Sequence, residues 1–331
     1  MKLETPYLLF LGDAADMLAA KVAIGVRDWR PENALGQMRL EGCQADLGLT
    51  EMTIAEAAAS GAKTFVVGVA NRGGVISPSW VSALLEALDV GMDVAAGLHN
   101  KLNDIPELVE RAQARGRRLL DVRHPTESFP IGAGEKRPGK RLLPVGTDCS
   151  CGKMYTALAI EKEMRARGMN ADFRATGQTG IFIVGAGASI DAVVADFISG
   201  AVEKLAPAND PDHWDVVEGQ GALHHPSFAG VTMGLIHGAQ PDALVICHEP
   251  TRTHMRGLPH YPIPDIEAAM DLALRHATLT NPQAHFVGAS INTANLPGEA
   301  GAECLAEISS RLGMPAVDPV RTGVGAIVDA L

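Results

Sequence analysis

Nine consecutive residues, Gly146-Thr147-Asp148-Cys149-Ser150-Cys151-Gly152-Lys153-Met154, hold the densest chemistry in the chain. An apolar run, Leu142 to Val145, precedes them, and a helical pattern from Tyr155 to Arg167 follows. A strand, a glycine-bounded loop ending in Gly-Lys and a helix make a cradle for phosphate. The loop N–H groups and the helix N-terminus direct positive potential at an anion, and the Lys153 ammonium adds a full charge. Gly146, Thr147, Cys149, Ser150, Cys151, Gly152, Lys153 and Met154 are therefore the expected cofactor-binding residues. The loop has five residues between its glycines, one more than the standard pattern, and counting from Thr147 restores the usual length. Position 154 decides what the cradle can do. A magnesium-nucleotide site has Ser or Thr there, and the thioether of Met154 is a poor ligand for that hard cation. Thr156 faces elsewhere on the helix and does not substitute. Phosphate binding without a metal is the expectation.

Three further groups could act with this loop. Glu218 ends an apolar strand and is followed by Gly219 and Gly221, which clear space around it. Without a metal to orient, such a carboxylate is a candidate general base. Asp148 and His225 are the other acid–base candidates, and the residues alone do not choose among the three. Thr176-Gly177-Gln178-Thr179-Gly180 follows another strand, at the end where open α/β sheets bind ligands. Thr176, Gln178 and Thr179 are expected to touch substrate. Arg72, Arg123, Arg174, Arg252 and Arg256 all lie at or beyond strand ends. Arg252 and Arg256, in the densest polar loop, are the expected carboxylate-binding pair. His224, His225, His248, His254 and His260 match no zinc-ligand spacing, so no metal site is expected.

These groups need a scaffold, and the hydropathy pattern describes one. Short apolar strands (Tyr7–Leu11, Phe65–Val69, Val94–Ala96, Leu119–Val122) alternate with helical segments (Ala14–Val26, Ser79–Leu88, Ile105–Arg115). Thr53-Ile-Ala-Glu56 reads as a capping box opening another helix. Such alternation predicts a parallel sheet with helices on its faces. Residues Pro125 to Lys140, rich in proline and glycine, break the rhythm. A boundary there gives a Rossmann-like α/β domain over 1–134 and a P-loop NTPase-like α/β domain over 135–331. In the second, Ala171–Ala175, Trp214–Val217, Ala243–Cys247 and His285–Ala289 read as strands. Asp191–Lys204 and Glu299–Leu312 read as helices. Gly12-Asp-Ala-Ala-Asp lacks the dinucleotide spacing, so NAD is not expected.

Bulk composition excludes several classes. The 331 residues carry a formal charge of −11, and no basic stretch offers a nucleic-acid surface. Five scattered cysteines make no disulfide framework and fit a reducing cytoplasm. No segment has signal-peptide or membrane-spanning character. A homo-oligomer in the cytoplasm is the expected form.

Several short motifs follow one another along the chain: Gly73-Gly74 with Ser77-Pro78-Ser79-Trp80, Gly97-Leu-His-Asn100, Asp121-Val-Arg123, Gly146 to Met154 and Thr176 to Ile181. They continue through Asp196-Phe197, Glu218-Gly-Gln-Gly221 with His225-Pro226, and Asp318-Pro-Val-Arg321. In these motifs and their order the chain resembles a bacterial family of D-glutamate N-acetyltransferases. The resemblance implies transfer of acetyl from acetyl-CoA to D-glutamate, giving N-acetyl-D-glutamate and CoA. It also implies an N-acetylglutamate epimerase as pathway partner. Acetyl-CoA carries a pyrophosphate, which suits a phosphate loop that lacks its magnesium hydroxyl. Direct attack of the amine on the thioester is the simplest route, and an acyl intermediate on Cys149 or Cys151 is the alternative. The loop Gly146-Thr-Asp with Gly-Lys is also similar to that of dethiobiotin synthetase. A rival reading is therefore a Mg-ATP-dependent ligase or kinase, and a second rival is a non-catalytic nucleotide-binding regulator.

Overall fold

The computed structural model describes every residue except Arg72. That arginine, one of the strand-end arginines named above, lies outside the described residues. The chain forms two compact units. The first comprises Met1–Glu127 and Gly177–Ala192, and the second Ser128–Thr176 and Val193–Leu331.

In the first unit β1 (Tyr7–Gly12), β2 (Ala34–Arg39), β3 (Thr64–Val67), β4 (Asp93–Ala96) and β5 (Leu119–Asp121) form one sheet. Its order is β2-β1-β3-β4-β5 and every pairing is parallel. All residues of β1, β3 and β4 are buried, as a parallel sheet covered on both faces requires. Helices α1 (Lys21–Trp29), α2 (Ile54–Ala59), α3 (Val81–Asp89) and α4 (Pro106–Arg115) connect them. The capping box on α2 forms as expected, with Thr53 and Glu56 each accepting from the other's backbone N–H. α4 ends where Gly116 takes φ 62°. α1 begins later than the expected Ala14, because Ala14–Ala20 is spent in turns, one of them closed by the Asp16 carboxylate on Ala19 N–H. β2 was not legible, since Ala-Leu-Gly-Gln-Met-Arg has neither β-branched residues nor alternation.

The second unit opens with Ser128 to Pro138, which packs on later elements of that unit. The Glu203 carboxylate accepts the Ala133 and Gly134 N–H groups at 2.9–3.0 Å. Its strands are β6 (Lys140–Gly146), β7 (Ala171–Arg174), β8 (Trp214–Val217), β9 (Ala243–His248), β12 (His285–Ile291) and β13 (Ala316–Val317). They form a six-stranded parallel sheet in the order β13-β12-β9-β6-β8-β7. A separate hairpin pairs β10 (His254–Met255) with β11 (Leu258–Pro262). The helix α5 (Lys153–Ala166) follows β6. After β7 comes α6 (Gln178–Val184), which belongs to the first unit and packs on α1. Then follow α7 (Ile198–Leu205), α8 (Ala229–Ala239), α9 (Ile266–Ala277), α10 (Gly298–Leu312) and α11 (Gly325–Val328). The expected helix over Asp191–Lys204 keeps only its second half. Val194 is extended (φ −57°, ψ 137°), so two short 3-10 turns precede α7.

A histidine pair sits between α8 and α9. The rings of His237 and His276 lie 5.5 Å apart, and His237 Nε2 and His276 Nδ1 are buried with no hydrogen-bond partner among the described residues. Burial, and then the neighbouring His276, push the His237 pKa below its usual value. The unfolded chain therefore takes up this proton first as pH falls. Stability is unaffected well above pH 6.5 and is lost as pH drops through that value and below. Half-buried His248 shifts in the same direction. We expect the melting temperature to fall between pH 8 and pH 5.5, and His237→Phe to make that fall shallower. Equal slopes in thermal melts of the two proteins would show that the pair is not protonation-linked to folding.

Candidate functional site

The loop after β6 is built by three departures from ordinary backbone. At Gly146 a Cβ would meet Cys151 Sγ at 2.6 Å and Lys153 Nζ at 3.2 Å, so only glycine lets the loop fold back over its strand. Ser150 and Gly152 then adopt positive φ, 51° and 108°. Such alternation turns successive N–H groups toward one side, which makes an anion nest. Among the described residues, no intramolecular hydrogen bond uses the backbone N–H of Ser150, Cys151, Gly152 or Lys153. Among the described residues no side chain caps α5, which starts at Lys153, and its positive end is open to a ligand.

Lys153 is buried. Its ammonium donates to the Asp148 carbonyl at 2.7 Å and lies 3.7 Å from Cys151 Sγ. The Cys151 thiol in turn donates to the carbonyls of Asp148 and Cys247, at 3.1 and 3.4 Å. Thr147 Oγ1 meets His248 Nδ1 at 2.9 Å, and burial pushes the His248 pKa down, so this imidazole is neutral near pH 7. Met154 occupies the second position of α5, as its sequence position requires.

Asp148 and the two arginines form one network. Asp148 is 1% exposed; Oδ1 accepts the Cys149 N–H at 2.7 Å, and Oδ2 accepts from Arg252 at 2.6 Å and from the Arg256 N–H at 2.8 Å. Arg252 also donates to the carbonyls of Cys149 (2.7 Å) and Ser150 (3.3 Å) and to Glu249 (3.0 Å). Burial alone would lower the Arg252 pKa, but Asp148 and Glu249 outweigh it and raise it. Burial likewise raises Glu249, yet the Thr251 hydroxyl and Arg252 hold it below the usual carboxylate range. Arg252 thus commits four of its five N–H groups to the loop and Glu249. Arg256 is exposed at the turn between β10 and β11, and its guanidinium donates to the Ser150 hydroxyl.

His225 is buried with its ring 4.6 Å from that of Phe228. Its Nδ1 accepts the Ser227 N–H at 3.2 Å, which places the neutral ring's proton on Nε2, 3.4 Å from the Arg256 carbonyl. In this tautomer His225 is a donor. Side-chain ligand atoms of Asp148, Cys149 and His225 lie within 4.8 Å of one another. Metal chemistry fits this trio poorly, because the carboxylate is already held by a guanidinium and two N–H groups and the Nε2 lone pair is occupied by a proton. Burial pushes the Cys149 thiol up, with Lys153 opposing, so it carries little thiolate at neutral pH.

Glu218 is buried at the end of β8. Its carboxylate accepts the Thr176 N–H at 2.9 Å, and its carbonyl accepts the Thr176 hydroxyl at 2.7 Å. Gln220 Nε2 reaches the same hydroxyl at 3.2 Å. Gly219 lies against the strand and the lysine: a Cβ there would come 1.9 Å from Pro144 O and 2.9 Å from Lys153 Cδ.

The structure therefore gathers Gly146 to Met154, Thr176, Glu218, His225, Arg252 and Arg256 in the second unit. Gln178 and Thr179 belong to the first unit. There Thr179 Cγ2 packs against Gly25 of α1, and Gln178 Oε1 packs against Gly97. Sequence reasoning missed Ser227, which fixes the His225 tautomer, and Glu249, which anchors Arg252. The three-residue spacing of Glu249 and Arg252 was the only available signal.

A parallel six-stranded sheet with a strand–nest–helix bearing Gly-Lys defines a phosphate-loop protein, here without the hydroxyl that binds magnesium. Residues 130–328 match the domain of unknown function described as the DUF1611_C P-loop domain, and residues 38–125 match the DUF1611_N Rossmann-like domain. The chain belongs to this family. It is 61% identical over 99% of both chains to the D-glutamate N-acetyltransferase of Tritonibacter scottomollicae. It is 52% identical, again over 99% of both, to a protein of the same name from Pseudoalteromonas sp.. A crystal structure of a DUF1611 family protein from Anabaena variabilis shares 30% identity, covering 98% of this chain and 99% of that one, with a TM-score of 0.84. No helix among the described residues is long and apolar enough to cross a membrane.

Proposed function

We propose that this protein is a D-glutamate N-acetyltransferase that uses acetyl-CoA and passes N-acetyl-D-glutamate to an epimerase. The observation that carries the activity is the 61% identity, across nearly the whole of both chains, to an enzyme of that name. The choice of acetyl-CoA is supported by the nest: its free N–H groups, Lys153 and Arg256 suit a pyrophosphate, and Met154 suits binding without magnesium.

Roles follow from the donor's length. A pantetheine arm separates its pyrophosphate from its thioester, so groups that touch the nest are distant from the reacting carbonyl. Asp148 and His225 lie at the nest, Glu218 precedes the Gly219 that packs on Lys153, and each of the three accepts a backbone N–H. We therefore assign them the shaping of the donor site, and the acetyl group reacts farther along the donor. Direct attack of the amine is favoured over an acyl-cysteine, because Cys149 is a protonated thiol beside the nest and Cys151 is buried. The ligase or kinase reading loses support at Met154.

The test is thiol release from acetyl-CoA with D-glutamate, run with EDTA and separately with ATP. Release that depends on D-glutamate and survives EDTA is expected. ATP turnover without thiol release would overturn the assignment. In the same assay Glu218→Gln should raise the KM for acetyl-CoA about tenfold and leave kcat within about threefold, since one charge-assisted hydrogen bond in the donor site is weakened. A loss confined to kcat would return Glu218 to the acid–base role.

A further inference from the structure

The nest lacks a metal ligand at position 154, yet a pyrophosphate brings more negative charge than Lys153 neutralises. Among the described residues, Arg252 is a poor source of the balance, because Asp148 and Glu249 already pair its charge and, with the Cys149 and Ser150 carbonyls, hold four of its five N–H groups. We infer that Arg256 takes the place of magnesium, laying its guanidinium on the donor's pyrophosphate at the mouth of the nest.

Three features place it there. Its backbone is fixed twice, the N–H on Asp148 Oδ2 of the loop at 2.8 Å and the carbonyl 3.4 Å from His225 Nε2. It stands at the turn of the β10–β11 hairpin, where Gly257 at φ 81° reverses the chain. Its side chain is exposed, forms no salt bridge among the described residues, and rests on the hydroxyl of Ser150, the residue that starts the nest. A rigid backbone with a guanidinium held only by a neutral hydroxyl is poised to exchange that hydroxyl for phosphate oxygens, which a planar fork binds in bidentate fashion. Arg252 shapes the loop and Arg256 meets the ligand, so neither is assigned to the D-glutamate carboxylates.

This inference rests on the reading of the loop as the donor's phosphate site. Its test titrates CoA into the intact protein by calorimetry, in EDTA and in magnesium, with steady-state kinetics alongside. Wild-type affinity should be the same in both buffers. Arg256→Gln should melt like wild type, weaken CoA about 10- to 100-fold, raise the KM for acetyl-CoA correspondingly and leave the KM for D-glutamate unchanged. Unchanged CoA affinity, or a rise in the D-glutamate KM alone, would overturn it. So would magnesium-dependent binding of CoA by the wild-type protein. Lys153→Ala separates the two levels of the argument. If Lys153→Ala weakens CoA and Arg256→Gln does not, only the role of Arg256 fails. If neither does, the phosphate site itself is misplaced.

Discussion

Lys153→Ala should raise the KM for acetyl-CoA about 100-fold while the KM for D-glutamate stays within about twofold, the upper range for one buried charge-assisted contact. The ammonium sits among the loop's own groups, 2.7 Å from the Asp148 carbonyl, and no carboxylate is paired with it among the described residues. Its charge is therefore available to an incoming anion at the cost of one neutral hydrogen bond. Lys153→Arg should not rescue, because the glycines at 146 and 219 are already within about a methyl group of the lysine chain and a guanidinium has no room. Direct CoA titration is the sharper measurement, since kcat can hide a binding defect. Undiminished CoA affinity in Lys153→Ala, with a normal melting curve, would remove the phosphate loop from the mechanism.

The elements that carry this site were legible because their signals are local. An apolar run into Gly146, a Gly-Lys step and a helical period after it appear in one window of sequence. The strand leading to Glu218 and the Gly-Gln-Gly that follows were equally plain. What stayed hidden was who faces whom. Arg252 reads as a free strand-end cation, the kind that binds a substrate carboxylate, and only the fold shows four of its five N–H groups held by Asp148, Glu249 and two loop carbonyls. Asp148 reads as a free acid, yet it is the strut that joins the loop to the β10–β11 hairpin. Thr176 and Gln178 are two residues apart in one polar stretch, yet they belong to different units, since α6 uses its apolar face on α1. Long-range partners of polar side chains leave no periodic trace, so residue type alone over-assigns them to catalysis.

The largest structural effect should come from a residue that carries no chemistry. β6 pairs with β8 only as far as Leu142 opposite Val216, whereas its pairing with β9 runs on to Gly146 opposite Cys247. Pro144, which has no N–H, lies beyond the last β8 pair, where a central strand can tolerate it. The chain leaving β8 then passes so close that a Cβ on Gly219 would stand 1.9 Å from Pro144 O. Backbone cannot yield there as a side chain would, so Gly219→Ala must push the end of β8 off β6. Glu218 and its Thr176 hydrogen bond move with it, and the Cβ also strikes Lys153 Cδ at 2.9 Å. We expect a loss of about 2–3 kcal/mol in stability, the upper part of the range for forced overpacking, and a fall in kcat/KM for acetyl-CoA larger than that of Lys153→Ala. Gly230→Ala is the control: it lies in α8, and a Cβ there meets nothing within 4 Å. That change should be neutral or stabilising by up to about 1 kcal/mol, because alanine restricts the unfolded chain and favours helix. Thermal melts of the two variants read the contrast directly. A Gly219→Ala protein that melts with the wild type would mean the β8 end is free to shift, and a site whose floor can shift would not hold Lys153 and Glu218 in the register on which phosphate binding depends.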